Sequence, residues 1–72
     1  MFKLKELLNI TDILTLCEIV DVNKKVILSS IVYDILKSHS RYIDSHILHL
    51  YIKDNKLIII LDMDTCNYSS LL

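Results

Sequence analysis

Residues 46–63, HILHLYIKDNKLIIILDM, hold two runs of β-branched, aliphatic and aromatic residues on either side of Lys53-Asp54-Asn55-Lys56. After glycine, Asp and Asn best tolerate the left-handed backbone of a two-residue hairpin turn. With Asp54-Asn55 at the turn, counting outward pairs Ile52 with Leu57, Leu50 with Ile59 and Leu48 with Leu61. Strand side chains alternate, so these six share one wholly aliphatic face, which is expected to be a core face. The other face carries Tyr51/Ile58, His49/Ile60 and Ile47/Asp62. A slip of one residue would turn the aliphatic set outward, and the register is therefore well specified. Leu57-Ile58-Ile59-Ile60-Leu61 is short, β-branched and preceded by a turn signal, which marks a strand buried on both sides.

The chain has 72 residues, enough for one domain over 1–72. Ile, Leu and Val supply 29 of them, and there is no Ala or Gly to dilute the set. A body this small hides only about 60% of its unfolded surface, so an apolar remainder that invites association is expected. The formal charge is −1, with seven Lys and one Arg spread among nine acids. Without a basic block to neutralise phosphates, the balance argues against nucleic acid. The longest apolar run is five residues, far below the ~20 that span a bilayer, and no signal-peptide pattern opens the chain. A cytoplasmic protein is expected, with Cys17 and Cys66 as reduced thiols rather than a bridge. Gly, Ala and Pro are absent and Arg occurs once, a bias toward AT-rich codons that associates with phages and other mobile elements.

Upstream of the hairpin, Leu4, Leu7 and Leu8 recur at helical spacing and give a first helix over 2–9. Thr11 or Asp12 can cap the next element. Polar residues at every third position (Asp12, Thr15, Glu18, Asp21) favour a helix over 13–22 with Ile13, Leu16, Cys17 and Val20 on one side. The Ile, Val and Thr content of that segment makes a strand its rival. Asn23 can cap a longer helix over 24–38, striped by Leu28, Ile31, Val32, Ile35 and Leu36, with Ser38–Arg41 as its exit. Residues 65–72 form a polar tail, frayed or clasping. The fold expected is α+β, with N-terminal helices packed on a C-terminal antiparallel β-hairpin.

Motifs for chemistry are sparse. Residues 58–65, IIILDMDT, join an apolar strand to Asp-x-Asp-Thr. This stretch resembles the first motif of haloacid-dehalogenase-type phosphotransferases. The resemblance implies Asp62 as nucleophile, Asp64 as acid/base and Mg²⁺ between carboxylate and phosphate. The chain departs from the motif where Thr65 directly follows the second Asp. Only seven residues then follow, where that family needs a large domain for its lysine and further acids. The bland alternative is two acids that keep the tip of an apolar strand in water. His46 and His49 are three apart, a spacing that suits one metal on a helix but points to opposite faces on a strand. Neither a metal nor a cofactor is expected, and His39 and His46 receive no role. Serines and cysteines are present, but the glycine-dependent elbows and phosphate loops of hydrolases and nucleotide enzymes are not. No catalytic residue is assigned.

What remains is surface. Tyr51 and His49, with Ile58 and Ile60, make a partly apolar face of the kind that anchors protein contacts. The expected function is a non-enzymatic interaction protein that covers a larger protein target, an inhibitor or adaptor of a mobile element that also self-associates as a homo-oligomer. A small dimeric DNA-binding regulator is the alternative. In it the N-terminal helices form a helix-turn-helix, the hairpin dimerises, and Lys3, Lys5, Lys24, Lys25 and Lys37 touch phosphates.

Overall fold

Asp54 and Asn55 adopt φ of 52° and 63°, the two left-handed residues of a tight hairpin turn. In the computed structural model, which describes residues 2–64, this turn joins the last two of four strands. The expected tail over 65–72 lies outside the described residues. The elements are α1 (Leu4–Asn9), β1 (Leu16–Val20), β2 (Val26–Ile31), α2 (Val32–Ser38), a 3-10 turn (Ser40–Tyr42), β3 (Ile47–Lys53) and β4 (Lys56–Leu61). One sheet runs in the order β2-β1-β4-β3. Its two outer pairs are antiparallel hairpins, and β1 and β4 pair in parallel at the centre.

This mixed α/β arrangement corrects the expectation of N-terminal helices on a C-terminal hairpin. The segment read as a helix over 13–22 contains β1, and the first half of the helix read over 24–38 is β2. In β1, Cys17 and Ile19 enter the main core, while Val20 is buried on the other face beside Ile58 and Ile60. Burial on both faces erases the polar alternation that identifies a half-buried strand, and the β-branched composition was the truer signal. Asn23 caps no helix. It sits in the β1–β2 turn, where Lys24 takes φ 64°. Asp21 is fully buried there, and its Oδ1 accepts the N–H groups of Asn23 and Lys25, both at 2.9 Å.

Strand β2 passes straight into α2, with Ile31 still extended at the boundary. The first donors of this helix are satisfied by distant carbonyls. Val32 N–H donates to Thr15 O and Tyr33 N–H to Ile13 O, each at 3.0 Å. α1 begins in the same way, with Leu4 and Lys5 N–H donating to Ser45 O and Ile43 O at 2.9 and 2.8 Å. At six and seven residues both helices are too short to persist alone. They are held by burying Leu4, Leu8, Val32 and Ile35 against Cys17, Ile19, Ile59 and Leu61. Each such side chain contributes about 1.5–3 kcal/mol of transfer free energy.

The hairpin register follows the expected count for Ile52–Leu57, Leu50–Ile59, Tyr51–Ile58 and His49–Ile60. It shifts between Ile47 and His49, so that Ile47 rather than Leu48 stands opposite Leu61. The extra residue is a β-bulge, which no periodicity marks. Ile47 packs on the core as a result, and Leu48 is exposed.

Two substitutions test these turns by chemical denaturation. Asp21→Ala strips a buried acceptor from two backbone donors and is expected to cost about 3 kcal/mol. Asn55→Val forces a β-branched residue into the left-handed region and is expected to cost about 1–2 kcal/mol.

Candidate functional site

Both helices lie on the sheet face formed by Cys17, Ile19, Ile59 and Leu61. Alternation places Glu18, Val20, Ile58, Ile60, His49 and Tyr51 on the second face. Of the four residues singled out from the sequence, the hairpin brings all together as cross-strand neighbours, Tyr51 beside Ile58 and His49 beside Ile60. Their exposure divides by strand. Ile58 and Ile60 on the central strand are 4% and 9% exposed, whereas Tyr51 on the edge strand is 47% exposed and His49 is also open. The accessible part of this face is therefore its β3 side. A polar row crosses the sheet below it: Ser29 Oγ donates to Glu18 Oε1 at 3.2 Å, and Lys56 Nζ stands 3.9 Å from the same carboxylate.

A second feature lies on the helix face and was not anticipated. Phe2, Leu7 and Ile10 line one wall of a groove of about 280 Å³, and Ile47, Leu48 and Leu50 line the other. Glu6 and His49 are its polar members, and the Glu6 carboxylate already accepts the Lys3 N–H at 3.0 Å. Ile52 continues the apolar strip toward the hairpin tip and is 77% exposed. It was expected in the core because it pairs with Leu57. The helices do not reach it: six helical residues span about 9 Å, whereas seven strand residues span about 23 Å. The shortness of the helical segments was the available clue.

The groups considered for chemistry are dispersed. Asp62 is exposed just beyond β4, and its N–H donates to His46 O at 2.8 Å. The Asp64 carboxylate accepts from Asn23 Nδ2 at 3.0 Å, which ties it to the β1–β2 turn. Among the described residues, no three His, Cys, Asp or Glu side chains converge as a metal site requires. Ser30 Oγ donates to Asp34 at 3.0 Å, with no histidine in that contact. The lysines weighed for phosphate contact are scattered. Lys5 pairs with Asp44 at 3.1 Å, Lys37 lies over the Tyr33 ring, and Lys24 and Lys25 belong to the β1–β2 turn. Strands β1 and β2 separate the two α-helices, so α1 and α2 form no helix-turn-helix. Among the described residues no helix is long and apolar enough to cross a membrane.

Comparison with models of known protein families gave no match, and neither did comparison with curated proteins or with solved structures.

Cys17 is fully buried in the core, and desolvation pushes its thiol above the ordinary value of 9.0. Alkylation of Cys17 at pH 8 is expected to be about a hundredfold slower in the native chain than in denaturant. On raising the pH the unfolded thiol ionises first. The stability that Cys17 supports is thus complete below pH 9 and declines above it. Denaturation curves at pH 7 and pH 10, compared with those of Cys17→Val, isolate this contribution.

Proposed function

We propose that this chain is a non-enzymatic protein-interaction module that acts by covering a surface of a larger protein, as an inhibitor or adaptor of a mobile element does. One observation carries the reading. Strand β3 lies at the edge of the sheet and has six of its seven residues exposed, yet between Ile47 and Ile52 it bears no Asp, Glu, Lys, Arg or Pro. Soluble proteins ordinarily protect such an edge with charge, proline or a covering element. An edge left apolar and open is suited to pairing with another chain, with backbone hydrogen bonds giving affinity and alternate side chains giving selectivity. Tyr51 supplies a large amphipathic anchor there, and His49 a polar neighbour.

A cytoplasmic site of action and the absence of catalysis belong to the same proposal. The scattered nucleophiles and acids and the glycine-free composition support the second of these. The regulator reading has less support, because Lys5 is engaged by Asp44, Lys37 lies over Tyr33, and the helices are not consecutive.

The tagged chain, used as bait in an extract of its native host, is expected to retain a specific protein. Tyr51→Asp should reduce that retention at least tenfold with the circular dichroism spectrum unchanged, since Tyr51 is not a core residue. Retention of duplex DNA that falls steeply between low and physiological salt, with no protein retained, would replace this proposal by the regulator.

A further inference from the structure

The outer edge of β3 is only partly free, and the part that is covered sets a register for the rest. Lys3 forms an antiparallel bridge with His46, and Ile47 N–H donates to Phe2 O at 2.8 Å. The N-terminal segment thus occupies the outer edge as far as Ile47. Beyond that point the two-residue turn fixes which backbone groups face outward. Residues flanking such a turn exchange both hydrogen bonds, and the pairs then alternate. Lys53, Tyr51 and His49 therefore bond inward to β4, and the N–H and C=O groups of Leu50 and Ile52 point to the free edge. Among the described residues, none pairs with them.

We infer that the partner of this edge is the β3 strand of a second copy of the chain, paired antiparallel about a two-fold axis at Tyr51. The inference rests on the interaction reading above: it gives the edge to a second copy and leaves the Tyr51 and His49 face of the dimer to cover the target. A two-fold axis makes the contact self-complementary, and only even registers bring outward groups together. Centring on Leu50 would drive Lys53 of the second copy toward the position that Phe2 occupies opposite Ile47. Centring on Ile52 would leave Leu50 opposite the turn residue Asp54. Centring on Tyr51 pairs Leu50 with Ile52 of the second copy twice over, so that all four outward N–H groups meet all four carbonyls.

The side chains agree with this register on both faces. On the helix face, Ile52 of each copy comes beside Leu50 of the other, at the mouth of the groove lined by Phe2, Leu7 and Ile10. On the second face the two Tyr51 rings meet across the axis as a non-hydrogen-bonded pair, where cross-strand side chains approach most closely. Phe2 and Ile10 are 70% and 84% exposed, and Leu50 is 46% exposed. Taking ~200 Å² for a large residue, the exposed parts of Phe2, Ile10, Leu48, Leu50, Tyr51 and Ile52 amount to about 700 Å² per protomer. Specific complexes of standard size bury ~800 Å² per partner, so this patch is of the extent a stable dimer needs. Charge raises no obstacle. The chain carries −1 in total, and the paired segment His49–Lys53 opposes no two like-charged carboxylates or lysines.

Sedimentation equilibrium of the full chain at micromolar concentrations is expected to give twice the chain mass. Ile52→Lys places a charge at the seam, and Ile52→Pro removes an outward donor that the monomer does not use. Each should return the mass to that of one chain, with at least tenfold weaker association and an unchanged circular dichroism spectrum. In a Cys66→Ser background, Tyr51→Cys should crosslink quantitatively on mild oxidation, because its two copies face each other at the axis. Lys53→Cys should not, since its copies lie four residues apart in register. A chain that stays monomeric at all concentrations overturns the inference, even where it still retains a host protein. A dimer that survives both Ile52 variants, or that crosslinks through Lys53→Cys rather than Tyr51→Cys, overturns it equally.

Discussion

Everything in this fold depends on a short parallel pairing between β1 and β4. Cys17, Glu18, Ile19 and Val20 stand opposite Leu57, Ile58, Ile59 and Ile60, and this ladder joins two antiparallel hairpins into one sheet. It places Cys17 and Ile19 beside Ile59 and Leu61, which creates the apolar surface both helices need. A parallel ladder is slightly less stable per residue than an antiparallel one and demands a long crossover. The crossover here runs through β2, α2, the 3-10 turn and β3. The weak ladder is extended where Val22 N–H donates to Met63 O and Asn23 Nδ2 to Asp64, each at 3.0 Å. Asp21, buried at the same corner, holds the turn that allows Val22 and Asn23 to reach those acceptors.

The helices show how far a tertiary scaffold can replace local signals. Helices usually open on a Ser, Thr, Asp or Asn side chain that satisfies a first-turn donor. Here α2 opens on Ile31, and carbonyls of the 13–15 loop take its donors, while carbonyls of the 43–45 linker serve α1. No residue type at either boundary announces this. Thr11 and Asp12, the expected caps, open no helix: Thr11 Oγ1 donates to Leu7 O at the C-terminal end of α1, and Asp12 Oδ1 accepts Leu14 N–H in the turn before β1. With no Gly or Pro anywhere to punctuate the chain, the passage from β2 to α2 at Ile31 is invisible to periodicity.

Legibility therefore tracked the range of the interaction. The Asp54-Asn55 turn, the pairing of Ile52 with Leu57 and Tyr51 with Ile58, and the two-sided burial around Ile59 are local and were readable. The role of residues 16–31 depended on burial against strands forty residues away, and the apparent three-residue period was an accident of two buried faces. The bulge at Leu48 lies between these cases. It appears where the antiparallel pair must bend as Phe2 and Lys3 join the edge at His46 and Ile47. At the candidate site, alternation alone placed Tyr51 and His49 on one face. Ile52 was not, since its exposure results from helices that end too soon.

The two edges of the sheet differ in a way that bears on assembly. β2 begins directly after Lys24 and Lys25, carries Ser29 and Ser30, and is cut short by its passage into α2. Charge next to a short strand is how proteins discourage further pairing. β3 is the longest strand, apolar along its middle and charged only at Lys53. If both edges were like β3, pairing would propagate from molecule to molecule in an open array. With β2 preceded by Lys24 and Lys25 and running directly into α2, pairing of β3 with itself would close at two copies. The eight-stranded sheet that results would present its Tyr51 and His49 residues together at the centre of the second face, twice the surface that one small chain can offer to a target.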